Sequence, residues 1–164
     1  MTVTDTTKDP EARRLAITAT YTAPATAVWA LWADPRRLER WWGPPTHPAT
    51  FVEHDLTPGA RTTYFMTGPE GERYHGWWQI VAVDEPRRLA FDDGFSDGDG
   101  APDPTQPVTA VEVTLAEDGD GRTTMVVAST FPSIEAMEQL LAMGMAEGMA
   151  QAMTQIDALL AEPA

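Results

Sequence analysis

IEAMEQLLAMGMAEGMAQAMTQIDALL, residues 134 to 160, closes the chain and decides its architecture. Pro132-Ser133 reads as a helix start. Apolar residues then recur at helical spacing, predicting one helix of about 30 residues, roughly 45 Å at 1.5 Å per residue. On a helical wheel Ile134, Leu141, Met145, Gly148, Met149, Ala152, Ile156 and Leu159 form one stripe. Met137, Met153 and Leu160 border it. Leu140 and Met143 fall almost opposite, where a loop or a second copy of the chain would meet them. The segment also breaks a local rule. Glycine weakens a helix interior by about 1 kcal/mol relative to alanine, and methionine fills space without specifying it. Gly144 and Gly148 therefore admit a close neighbour or ligand, and the methionines give an adaptable wall. A plain core uses such a stripe too, so what the helix lies on has to decide.

It lies on strands. RLAITATY (14–21) alternates apolar and polar residues. ATFVEHDL (49–56), RTTYFMT (61–67), RYHGWWQIVAVD (73–84), LAFDD (89–93), VTAVEVTLAE (108–117) and RTTMVVASTF (122–131) follow, separated by turns such as TPGA, GPEGE, EPRR and DGDG. Tight turns imply antiparallel pairing. Between the first two strands, Pro24 starts one short helix and Pro35 a second, with Asp34-Pro35 between them. Helices at the two ends of a run of strands indicate an α+β fold: a curved antiparallel sheet of seven strands, covered on one face by the final helix. Residues 1–12 are polar and read as a flexible tail, with 13–162 as a single domain.

Composition narrows the function. The net charge of −14 speaks against nucleic acid and anionic membranes, which are bound by clustered Lys and Arg. No apolar run approaches the ~18 residues of a membrane span. Cysteine is absent, so disulfides, thiolate metal sites and cysteine nucleophiles are excluded. The start, MTVTDTTKDPEARR, lacks an apolar signal core, and the expected location is the cytoplasm.

The strands carry large groups. Tyr64 and Met66 share a face, as do Tyr74, Gly76, Trp78 and Ile80, and Leu89 and Phe91. Trp41 and Trp42 close the helical end. Aromatics, methionines and a few polar groups are the usual lining of a small-molecule pocket.

The run ITATYTAPATAVWALWADPRRLERWW, the stretch YHGWWQIVAVDEPRRLAFDDGF and the terminal LLAMGMAEGMAQAMTQIDALL together resemble the activator of heat-shock-protein-90 ATPase family, bacterial single-domain type, within the START and Bet v 1-like (SRPBCC) superfamily. The resemblance covers about residues 14 to 161. It implies the helix-grip fold, in which a curved seven-stranded sheet wraps a long C-terminal helix with two short helices at one end. It also implies a cavity that binds apolar ligands in many superfamily members, cyclase or dehydratase activity in others, and a chaperone partner for the eukaryotic namesakes. Fold alone does not choose among these.

The residues give candidates. His47, His54 and His75 have no spacing that places two ligands on one helix face, so no metal is expected, and no cofactor motif is present. His75 sits among aromatics, where it would serve as a polar handle or an acid–base group if it points inward. Glu53, Asp92 and Asp93 are carboxylates at strand positions; one buried in an apolar cavity would have a raised pKa. SDGDGAPDP lacks the spacing of a calcium loop and reads as solvated, within reach of gating a cavity mouth. The expected ligand-binding set is Trp41, Trp42, Tyr64, His75, Trp78, Phe91, Met145, Met149 and Met153, for a small hydrophobic or aromatic molecule. Neither a cyclase-like enzyme nor a chaperone-interaction module is excluded by the sequence.

Overall fold

Among the described residues eight strands, not seven, build the sheet. A computed structural model describes residues 3–162. In chain order the elements are β1 (Val3–Asp9), β2 (Arg14–Tyr21), α1 (Ala25–Ala33), α2 (Pro35–Leu38), β3 (Ala49–Glu53), β4 (Arg61–Thr67), β5 (Arg73–Asp84), β6 (Arg88–Phe95), β7 (Thr109–Glu117), β8 (Thr123–Thr130), α3 (Ile134–Ala142), α4 (Met145–Thr154) and α5 (Ile156–Leu160). The extra strand is β1, in the segment expected to be a flexible tail; it pairs antiparallel with β2. Nearly all of its side chains are exposed, so it holds through its backbone ladder and shows no apolar alternation to read.

The sheet order is β1-β2-β8-β7-β6-β5-β4-β3, antiparallel throughout. β3 to β8 form a meander, and β2 docks beside the last strand of it. The chain therefore crosses from β2 to the far edge at β3, and α1 and α2 make that crossing. Asp34 accepts a hydrogen bond from the Arg36 backbone at 2.9 Å and caps α2, while Pro35 occupies its first turn. Register shifts at Phe51/Glu53 and Ile80/Ala82 mark bulges, which bend strands and increase local twist.

The closing helix is not continuous. Gly144 adopts φ +87°, left-handed geometry that glycine tolerates best, and the chain restarts there as α4. Ser133 caps α3 by accepting from the Ala136 backbone at 3.0 Å. The Thr154 hydroxyl bonds back to the Ala150 carbonyl at 2.9 Å just before α5, an arrangement that bends helices. The break resets the angular phase, so the stripe expected of one straight helix is only partly buried. Ala136, Met137, Leu140, Ala146, Ala152, Met153 and Ile156 face inward, while Ile134 is 46% exposed. Leu140 is thus interior, and only Met143 of the expected outward pair faces solvent.

One core joins these layers. Trp32, Trp41, Trp78, Phe51 and Phe91 are fully buried, with Trp78 stacked on Phe91 at 4.1 Å between centroids. The Trp41 indole donates to the Leu31 carbonyl and the Tyr21 hydroxyl to the Met153 carbonyl, each at 2.9 Å. The second bond ties α4 to β2. Among the described residues no helix is long and apolar enough to cross a membrane.

Candidate functional site

Strand alternation sends Thr62, Tyr64 and Met66 of β4, Gly76, Trp78 and Ile80 of β5, and Leu89, Phe91, Asp93 and Phe95 of β6 to the face covered by the helices. Toward one end the rings of Trp32, Trp41, Trp78 and Phe91 pack against one another. Toward the other a cleft of 410 Å³ remains between sheet and helices. Such a volume lies in the range of about 300–1,000 Å³ that holds small molecules. Tyr64, Met66, Asp93, Phe95 and Thr109 form its sheet wall. Leu140, Met145, Gly148, Met149 and Ala152 form the helical wall, and Trp42, Gly43 and Pro44 the loop wall. Exposed Tyr74 and Met143 stand at the rim with half-buried His47.

Glycines make the shape possible. Gly76 lies directly across the ladder from Tyr64, and a Cβ there would collide with the phenol ring. The bare backbone lets Tyr64 lie flat and reach sideways to β6. A side chain at Gly148 would start 4.0 Å from Pro44 and project into the cleft. Gln155 pins the loop wall to the helical one, donating to the Gly43 carbonyl at 2.8 Å and the Trp41 carbonyl at 3.2 Å.

The polar chemistry gathers at one point. The Tyr64 hydroxyl donates to Asp93 Oδ1 at 3.1 Å. Removal from water pushes the Asp93 carboxyl up to about 7, although the Tyr64 hydrogen bond, and to a lesser extent the nearby Trp78 indole N–H, pull the other way. Burial, with Asp93 beside it, also holds the Tyr64 phenol well above its usual value, so it stays neutral. The indole N–H groups of Trp42 and Trp78 lie close enough to favour the charged form of Tyr64, yet neither closes a hydrogen bond of good geometry. The cleft thus has one carboxyl, one phenol and the indole of Trp42 in apolar surroundings, with Trp78 in the core beneath.

The expected residues divide three ways. Trp42, Tyr64, Met145 and Met149 line the cleft. Trp41, Trp78, Phe91 and Met153 are packed in the core beneath it. His75 lies on the opposite face, its ring 5.6 Å from Phe65, because alternation with Trp78 turns it outward. His54 is structural: it bridges the Thr62 hydroxyl at 2.8 Å and the Trp32 carbonyl at 2.7 Å, and burial lowers its pKa. Asp93, Met66, Phe95, Thr109 and Leu140 are lining residues outside the expected set. For Asp93 the signal was present, since it shares its strand face with Leu89 and Phe91. The acidic loop after β6 folds on itself, with Asp97 accepting from the Asp99 and Ala101 backbones, and none of residues 96–107 lines the cleft. No three His, Asp or Glu side chains among the described residues converge as a metal site.

An antiparallel sheet closed by C-terminal helices over a partly filled interior defines a helix-grip protein of the Bet v 1-like, SRPBCC class. The profile of the family described as "Activator of Hsp90 ATPase homolog 1-like protein" matches residues 22–161, and the chain belongs to that family. It is similar to the crystal structure of protein Ms6760 from Mycobacterium smegmatis, at 50% identity over 99% of both chains with a TM-score of 0.90. The solution structure of a protein from Arthrobacter aurescens is also 50% identical, over 99% of this chain and 94% of that one, with a TM-score of 0.93. A Staphylococcus epidermidis protein superposes with a TM-score of 0.83 at 25% identity, over 96% and 93% of the two chains. No curated protein matches the sequence.

Proposed function

We propose that the protein binds a small hydrophobic or aromatic molecule in the cleft between β4–β6 and α3–α4. The observation that carries this reading is the 410 Å³ of space left open beside a densely packed aromatic core. A chain that fills one end of its interior with closely packed indoles has the side-chain volume to fill the other, and instead places glycine at 148 on the cleft wall. Aromatic walls offer rigid stacking area at small entropic cost, and Met66, Met145 and Met149 adjust to the shape of the guest.

The test is a fluorescence titration with a neutral, environment-sensitive naphthalene dye, on the protein and on Gly148→Leu. Leucine projects into the cleft and is a better helix former than glycine, so the variant loses the dye without losing fold stability. Equal dye binding by both proteins sinks the reading.

A second reading rests on Tyr64 and Asp93. A carboxyl held near neutral pKa and hydrogen-bonded to a phenol can give or take a proton at physiological pH. As a site of general acid–base chemistry it requires turnover that disappears in both Asp93→Asn and Tyr64→Phe.

A further inference from the structure

The cleft has a chemical polarity that its apolar walls do not explain. Asp93 is the acidic group of the lining, and among the described residues no Lys or Arg joins it there. An anionic guest such as a fatty acid would find no cationic partner and one repulsive neighbour. A wholly apolar guest would leave the carboxyl and the spare acceptor capacity beside it unsatisfied, a costly arrangement in a low-dielectric site. A cationic guest meets neither difficulty. Tyr64 supplies Asp93 with one hydrogen bond, at Oδ1, and ionised carboxylates accept several. Around that point stand the rings of Trp42, Tyr64 and Phe95, whose faces attract a cation. The net charge of −14 raises the local concentration of cations outside.

We infer that the molecule this cleft accepts is a hydrophobic amine, its body between the aromatic and methionine walls and its protonated nitrogen on the Asp93 carboxylate beside Tyr64. The inference rests on the cavity-binding reading above and deepens it by naming the ligand class. The surroundings suit a switchable counter-ion. Burial keeps the carboxyl of the empty cleft poised to be neutral, which avoids an unpaired internal charge, and an arriving ammonium ion favours ionisation. The titratable groups facing Asp93 are few. Tyr64 comes from β4, while His47 and Tyr74 stand at the rim. β7 contributes Thr109, and α3 and α4 contribute only Leu, Met, Gly and Ala.

Calorimetric titration at pH 7 with three probes of one shape tests this: naphthylmethylamine, naphthylmethanol and naphthoate. The amine should bind about ten- to a hundredfold more tightly than the alcohol, the size of a charge-assisted hydrogen bond, with naphthoate weakest. In Asp93→Asn the ratio of amine to alcohol affinity should fall to about one. An alcohol that binds as tightly as the amine, or a tighter naphthoate, overturns the amine assignment and leaves the cavity reading standing. Failure of all three probes overturns both. An amine preference that survives Asp93→Asn also overturns the assignment, because the charge is then recognised elsewhere.

Discussion

Replacing Asp93 by Asn should make the protein more stable at neutral and alkaline pH. Burial raises the Asp93 carboxyl from its ordinary 3.8 to about 7. Below pH 4 it is protonated in both the folded and unfolded chain and costs nothing. Between 4 and 7 the unfolded chain releases the proton while the folded one keeps it. The folded state then binds more protons, and stability falls as pH rises. Above 7 both forms are ionised and the penalty is complete. At 1.36 kcal/mol per pH unit, the gap amounts to on the order of 4 kcal/mol. That is a large share of the roughly 5–15 kcal/mol that holds a domain together. Asparagine removes the charge and still offers Tyr64 an acceptor, so little else changes. Urea unfolding followed by the fluorescence of the six tryptophans, at several pH values from 4 to 8.5, measures the difference. The two proteins should coincide near pH 4, and the variant should lead increasingly as pH approaches 8. His54, with its pKa lowered by burial, acts with the opposite sign: its contribution is lost as pH drops below its ordinary 6.5. It is common to both proteins and cancels in the comparison. A variant no more stable than the parent at pH 8 would refute the reasoning, because Asp93 would then be well solvated or paired.

Two further substitutions probe the shape of the site. Gly76→Ala pushes a methyl group into the Tyr64 ring and should cost about 1–3 kcal/mol, as overpacking does. By tilting the phenol away it should also raise the Asp93 pKa further in a carbon-13 carboxyl titration, since the Tyr64 hydrogen bond lowers it. Gly144→Ala separates a broken helix from a continuous one. At φ +87° alanine should destabilise the protein by about 1 kcal/mol in thermal or urea unfolding, whereas in a straight helix it would stabilise by a similar amount.

The parts of the fold that bury an alternating face were legible from residues alone. RLAITATY, RTTYFMT and RYHGWWQIVAVD all appear as strands at the expected places. β1 was not legible, because a polar edge strand needs only backbone partners. The helix break was half visible. Gly144 and Gly148 stood out as exceptions, yet only the left-handed φ of Gly144 shows which of them resets the helical phase and turns Leu140 inward. At the candidate site, aromatic richness could not separate wall from core. Trp78 and Phe91 stack on each other below the cleft, while Trp42 and Tyr64 border it. His75 has aromatic neighbours in the sequence, but period-two alternation with Trp78 places it outside. The same rule applied to Leu89 and Phe91 places Asp93 inside, beside Tyr64.

Methionine-methyl NMR during titration with naphthylmethanol locates the guest, because Met66, Met145 and Met149 face the cleft interior and other methionines lie in the closed core. Resonances of Met66, Met145 and Met149 should shift together and saturate with one affinity, while Met125 and Met137 stay in place. A spectrum that does not move, or one in which Met125 and Met137 respond and the cleft methionines do not, would contradict a binding site between sheet and helices.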